Sequence, residues 1–305
     1  MQQTIPSGNA FIERLVMEPK LQNVWGINHA TWFTFMGVAG ALFLNRVFFN
    51  IELGRIWGLV VADVASLILI GIGGLILIAD LGQPIRVLRA LLNPRHSWIS
   101  IGAVADFIFL IVETLFILPD LNIAGSRPFA LLPFGPGTPL GMVFQTIAAA
   151  AALIVILYPG LVMATPTAIP FWNTTLIPLH FLAYAFAGAA AVVFLFAPWA
   201  NPAELAVAPT IALVAALITL LLVVAHLAEG YNRKRTARES VLMLMRGQLA
   251  GYFLGGVLLL GLIVPITLLL VTSGGWLMVA AVLFLAGNWL SKYTILKVGL
   301  YAPIF

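Results

Sequence analysis

Eight continuous apolar runs, each about 20–26 residues long, constrain this chain more than any other feature. They fall roughly at His29–Phe49, Ile56–Leu81, Trp98–Leu118, Pro139–Tyr158, Trp172–Phe196, Glu204–Glu229, Gln248–Thr272 and Trp276–Leu296. At ~1.5 Å per residue, a helix of that length crosses the ~30 Å hydrocarbon core of a bilayer. A barrel strand would alternate apolar and polar residues, which these runs do not, so helices are the spanning element. The expected fold is all-α integral membrane, with eight transmembrane helices in two four-helix bundles. Residues 1–27 read as an N-terminal interfacial segment, 28–158 as the first bundle and 159–305 as the second.

Composition closes off other classes. Hydrophobic residues make up 62% of the chain and charged residues 9%, where a soluble domain carries roughly 25% charged. Lipid must therefore solvate most of the surface. The absence of cysteine excludes disulfides, thiolate-held Fe–S clusters and a cysteine nucleophile in this chain. The net charge of +4 does not point to nucleic acid, because the basic residues lie in short loops and not on one face. Met1 to Leu21 has no apolar core run and carries Glu13, Arg14, Glu18, Pro19 and Lys20, so it does not read as a signal peptide. Its Phe11, Ile12, Leu15, Val16 and Leu21 suggest a segment lying on membrane lipid.

Eight spans put both termini on one side. Lys and Arg there are Arg14, Lys20, Arg86, Arg89, Arg95, Arg233, Lys234, Arg235, Arg238, Arg246, Lys292 and Lys297, against Arg46, Arg55 and Arg127 on the other. Twelve against three places the termini in the cytoplasm by the positive-inside rule, although a basic face could also dock an acidic partner. Trp32, Trp57, Trp98, Trp172, Trp199 and Trp276 stand near span ends, as an aromatic belt would. Gly71, Gly73, Gly74, Gly251 and Gly255 suggest close helix contacts. A faint repeat, Val38-Ala39-Gly40-Ala41 and Phe186-Ala187-Gly188-Ala189, suggests two parallel halves.

Ionisable residues inside a bilayer are costly and are functional candidates by default. The second span holds Asp63 and Asp80, and the third holds Asp106 and Glu113, seven apart and so on one helix face. Asp80 falls near the terminal surface, Asp106 deeper, and Asp63 and Glu113 toward the far side. This is a ladder of carboxyls suited to proton transfer, or alternatively a set of polar pins between helices. His180 and His226 read as satisfied polar contacts, since the four histidines lack the paired helix spacing of a haem site. No metal ligand set is evident.

Two stretches carry a family resemblance. One runs Asp80-Leu81-Gly82-Gln83-Pro84-Ile85-Arg86 and then Asn93-Pro94-Arg95-His96-Ser97-Trp98-Ile99-Ser100-Ile101-Gly102-Ala103. The other is Tyr158-Pro159-Gly160, followed by Pro170-Phe171-Trp172-Asn173 and Pro178. Together with helix count and order over nearly the whole chain, they resemble the NrfD/PsrC family, the membrane anchors of complex iron–sulfur oxidoreductases. The resemblance implies a location in a prokaryotic cytoplasmic membrane and a bound quinone (menaquinone or ubiquinone) as substrate. It implies no haem or Fe–S cluster in this chain, and as partners an Fe–S electron-transfer subunit and a large catalytic, often molybdenum, subunit of a respiratory complex.

In relatives the quinone pocket uses a polar pair opening helix 1 and the helix 4 tyrosine. Tyr158 matches the tyrosine; Asn28 and His29 stand near the pair, while another register puts Trp32 at the family's histidine. Quinone reduction takes two electrons and two protons and needs hydrogen-bond donors for two ring carbonyls, which His and Tyr supply. His29 and Tyr158, with Asp80, could line one pocket, or could serve as interfacial residues. Arg86, Arg95 and His96 read as partner docking. The alternative function is a secondary transporter of about eight spans, which the buried charges and weak repeat would suit; a scaffold without its own redox site is a third.

Overall fold

A computed structural model describes residues 19–80 and 97–302. The protein is 74% helical, and eight of its helices are long and apolar enough to cross a membrane. They are α1 (Ile27–Phe49), α2 (Val61–Asp80), α3 (Trp98–Ile117), α4 (Pro139–Ala164), α5 (Leu176–Leu195), α6 (Pro202–Asn232), α8 (Gly251–Val271) and α9 (Gly275–Lys297). A short α7 (Arg235–Met245) lies between α6 and α8.

Helix ends follow local chemistry. Asn50, with φ 55°, closes α1 by donating its N–H to Arg46 O at 3.0 Å. Span two starts five residues later than its apolar run. Arg55–Ile56 and Leu59–Val60 instead form a tiny antiparallel hairpin, β1 and β2. Its turn residues Trp57 and Gly58 both have positive φ, the geometry that matches strand twist in a two-residue loop. Conversely, α4 runs through Pro159 to Ala164, so Tyr158 sits inside the helix and not at its end. Pro178 lies in the first turn of α5, where a missing N–H costs nothing. Asn201 and Glu204 form a reciprocal capping box at the start of α6. Glu204 Oε1 also accepts the N–H groups of Glu52 and Leu53 at 2.7 and 3.1 Å, pinning the α1–β1 loop to α6.

The two described ends of the chain are hydrogen-bonded to each other. Gln22 N–H donates to Gly299 O at 2.8 Å and Tyr301 N–H to Lys20 O at 3.0 Å. The described part of the 1–27 segment is thus tucked against the end of the chain; residues 1–18 lie outside the described residues. α1 packs against α2, α4, α5 and α9, and α5 against α1, α4, α6 and α9. These two are the inner helices, with 72% and 78% of their apolar windows buried against 28% for α2 and α8. Their shared Ala-Gly-Ala segments are crossing points. A methyl group at Gly40 would lie 2.9 Å from Ala152 O, and one at Gly188 2.9 Å from Val38 Cγ2. Of the five glycines expected from the sequence to mark close helix contacts, only Gly73 makes one, 3.0 Å from Met36; Gly71, Gly74, Gly251 and Gly255 have nothing within 4 Å. The close contacts of α8 with α9 fall at Gly256, Gly261 and Gly287 instead.

The tryptophan belt also needs correction. Trp57, Trp98, Trp199 and Trp276 are exposed, but Trp32 and Trp172 are buried, Trp172 donating its indole N–H to Ile295 O at 2.9 Å. Two basic residues counted as loop charges, Lys292 and Arg46, are likewise buried. Taking one from each side leaves eleven against two, so the charge bias stands.

Candidate functional site

At the terminal face, the start of α1 and the end of α2 bring together residues far apart in sequence. Asn28 Nδ2 donates to Asp80 Oδ1 at 2.8 Å, and His29 Nδ1 lies 3.3 Å from Asp80 Oδ2. One carboxylate thus engages two neighbours on α1. Holding Nδ1 fixes the imidazole's orientation and leaves Nε2 to face a ligand. Aromatic rings surround the histidine. Trp25 stacks on it at 5.1 Å and 13°, Trp32 sits at 6.1 Å, and Trp25 in turn contacts Trp172 at 5.4 Å. His29 and Asp80 are partly exposed, at 14% and 26%. A flat ligand can therefore reach them from the surface.

One layer deeper, Tyr158 of α4 stacks on Trp32 at 6.1 Å and 23°. It is 1% exposed, and its hydroxyl donates to Asp106 Oδ2 at 3.0 Å and also meets Met36 Sδ at 3.3 Å. The local sequence makes this possible. Gly102 of α3 leaves the tyrosine its space, since a methyl group there would lie 2.2 Å from the ring, and Gly160 packs on Pro178, which seats α4 against α5. Among the described residues, Trp32 Nε1 and Asp106 Oδ1 have no hydrogen-bond partner. A buried donor and a buried acceptor are therefore free beside Tyr158.

The far half of the same helices holds a second group. Arg46 Nε lies 3.3 Å from Asp63 Oδ2, and the guanidinium sits 5.0 Å over the Phe116 ring. Ser66 Oγ donates to Ala39 O at 2.9 Å and to Glu113 Oε2 at 3.4 Å. Asp63 and Glu113 are fully buried. Asp63 and Glu113 thus share a depth, but they do not continue the Asp80–Asp106 group. Phe109, on α3 between Asp106 and Glu113, packs edge-on to Phe43 at 5.4 Å, and both rings are fully buried. The Phe43–Phe109 ring pair thus stands on α1 and α3 between Asp106 and Glu113.

Of the residues singled out in the sequence, Asn28, His29 and Asp80 are in contact, Trp32 and Tyr158 lie beneath them, and Asp106 is one hydrogen bond further in. Arg86, Arg95 and His96 lie outside the described residues. The sequence reading missed Trp25, which precedes the first span, and Arg46, which lies within it and so met the rule for intramembrane charges. It also missed α7, whose inner face of Ala237, Val241 and Leu244 is buried and whose Arg235 and Arg238 face outward. A search of curated proteins gives no match. The model of one family, described as polysulphide reductase, NrfD, matches residues 16–303.

Proposed function

The chain belongs to the NrfD family, and on that premise we propose that it is the quinone-handling membrane anchor of a multisubunit respiratory oxidoreductase. In this reading it passes electrons between a docked Fe–S subunit and the membrane quinone pool, while a large catalytic, molybdenum-type subunit acts on the other substrate. The partners sit on the terminal face, which the positive-inside rule assigns to the cytoplasm, and residues 28–158 form the four-helix bundle with the site. One observation carries the proposal: Asp80 holds Asn28 and His29 at the surface directly above Trp32, Tyr158 and Asp106.

The chemistry follows from those contacts. Converting a quinone to its quinol takes two electrons and two protons, one to each ring oxygen. In its protonated form His29 donates from Nε2 while Nδ1 stays on Asp80, and the unpartnered Trp32 indole N–H is a second donor just beneath it. Trp25 and Trp32 offer flat faces for a ring. The imidazole, paired with Asp80, can hold a proton and give it to one oxygen. Tyr158 is turned inward, so its role is to relay a proton between the headgroup and Asp106. Net transfer through α2 and α3 to Asp63 and Glu113 would conserve energy, but a proton must then pass the Phe43–Phe109 layer.

The test begins with gentle purification from native membranes. An Fe–S protein and a larger redox subunit should accompany the chain, and the complex should carry or turn over a quinone. In that complex His29→Ala and Tyr158→Phe are expected to cut quinone turnover about tenfold or more, the loss of one transition-state hydrogen bond or proton relay, with subunit composition unchanged. Asp106→Asn should impair the coupling of proton movement to turnover. Normal turnover in the first two variants would leave a scaffold role, and a chain isolated alone and without quinone would favour a transporter.

A further inference from the structure

A second buried polar cluster lies between α5 and α9, away from the residues given to the quinone. His180, Tyr184, Asn288, Ser291 and Lys292 are each no more than 2% exposed. The Lys292 ammonium donates to Asn288 Oδ1, and Asn288 Nδ2 donates in turn to Tyr184 O at 3.3 Å. The remaining surroundings of Lys292 are aromatic faces, Phe181 at 5.2 Å and Tyr184 at 5.6 Å. Among the described residues it forms no ion pair, so a buried amine capable of three hydrogen bonds makes one.

The neighbours are equally under-used. His180 packs on Tyr184 at 4.8 Å, yet neither of its ring nitrogens has a partner among the described residues. The Tyr184 and Ser291 hydroxyls are also buried without a hydrogen-bond partner among the described residues. His226, the nearby histidine of α6, behaves differently: its Nε2 bonds Phe171 O at 2.9 Å. Four polar atoms and an ammonium thus converge in a region where each unmet hydrogen bond is expensive. Gly188, where a methyl group would lie 3.0 Å from Asn288 Nδ2, lets α9 bring Asn288 close against α5.

We propose that His180, Tyr184, Ser291 and Lys292 line a buried water-holding site that stores one exchangeable proton in the second half of the molecule. Water satisfies all four groups because it both donates and accepts, and buried waters typically make about three such bonds. The step is proton exchange alone: the ammonium gives its proton to a bonded water or takes one back, and no electron moves. Phe181 and Phe33, 5.6 Å apart, stand between this site and His29, which Phe33 contacts at 6.3 Å. A charge change at the quinone position would therefore be felt across two apolar rings, a setting in which water screens little. That coupling rests on the anchor reading; the water site does not.

Radiolytic footprinting of the purified protein separates the two, since water held in place generates hydroxyl radical beside its neighbours. Tyr184 is expected to take up oxygen several times faster than Phe43, which is as deeply buried but lies in a dry aromatic pair, and Lys292→Met should lower that uptake while leaving exposed Tyr301 labelled. Tyr184 labelling no faster than Phe43 overturns the site. If Lys292→Met does not assemble, Lys292→Gln, which keeps hydrogen-bonding capacity but not the charge, should retain the label. In the liposome-reconstituted complex, Lys292→Met should move fewer protons per quinone at unchanged electron transfer; an unchanged proton count overturns the storage role. A wild-type complex that turns over no quinone would count against the anchor reading, and the labelling would still decide the water site.

Discussion

The two ends of α2 and α3 handle charge in opposite ways. At the terminal end, Asp80 is paired to residues that a ligand can also reach, and the partial exposure of His29 and Asp80 leaves room for exchange. At the far end, Asp63, Glu113 and Arg46 are sealed in, with Asn45, Arg46 and both carboxyls each retaining unpartnered atoms among the described residues. Between them stand Phe43 and Phe109. The difference teaches that buried carboxyls on one helix face need not form one path. The terminal group is a surface-reaching set of hydrogen bonds and stacked rings. The far group is a sealed polar knot, in which Arg46 pairs with Asp63 and Ser66 hydrogen-bonds Glu113.

The sharpest way to break this comparison is Arg46→Leu. It leaves two buried carboxyls without a cation, which costs about 3–5 kcal/mol where such a partner is removed. A large loss of thermal stability and of membrane-inserted yield is expected, with partial recovery when Asp63→Leu is added. A stable single variant would show that Arg46 does not hold the knot. Next in size is Gly102→Ala. Its methyl group would press on the Tyr158 ring at 2.2 Å, overpacking of a kind that costs about 1–3 kcal/mol. Melting should drop modestly and quinone turnover should fall with it, because the displaced ring carries the hydroxyl that Asp106 accepts.

Smaller still is the effect expected of Glu113→Gln on quinone turnover, which should stay near wild type because the phenylalanine layer separates Glu113 from Tyr158. A loss as deep as that of Tyr158→Phe would show that the two groups act as one path. Least of all, Gly71→Ala should change stability by no more than about 0.5 kcal/mol, as for a site without special contacts, since no atom lies within 4 Å of the added methyl group. A marked loss there would mean that a partner covers this face of α2.

Much of the terminal group was legible beforehand. Asn28, His29, Asp80 and Tyr158 stand at the ends of apolar runs, and polar residues at such ends on helices that return to the same face have few places to go. The number of spans and the shared face of the termini follow from the same runs. Trp25, Arg46 and Lys292 were harder to place. Trp25 precedes its span, and the two cations stand within a turn or so of their span ends, where helix rotation decides whether they turn inward or reach the surface.

The sequence by itself determined that this chain lives in lipid as eight helices, because backbone polar groups in a bilayer must be satisfied within each segment and only length and apolarity are needed to see it. Only the tertiary structure decided which residues turn inward. In lipid, an apolar residue is equally comfortable facing tails or neighbouring helices, so periodicity carries little information about the buried face. That is why Gly40, Gly102 and Gly188 proved to be contacts while Gly71 and Gly74 did not. It is also why the carboxyl ladder divided at Phe43 and Phe109, and why Lys292 came to lie among aromatic rings.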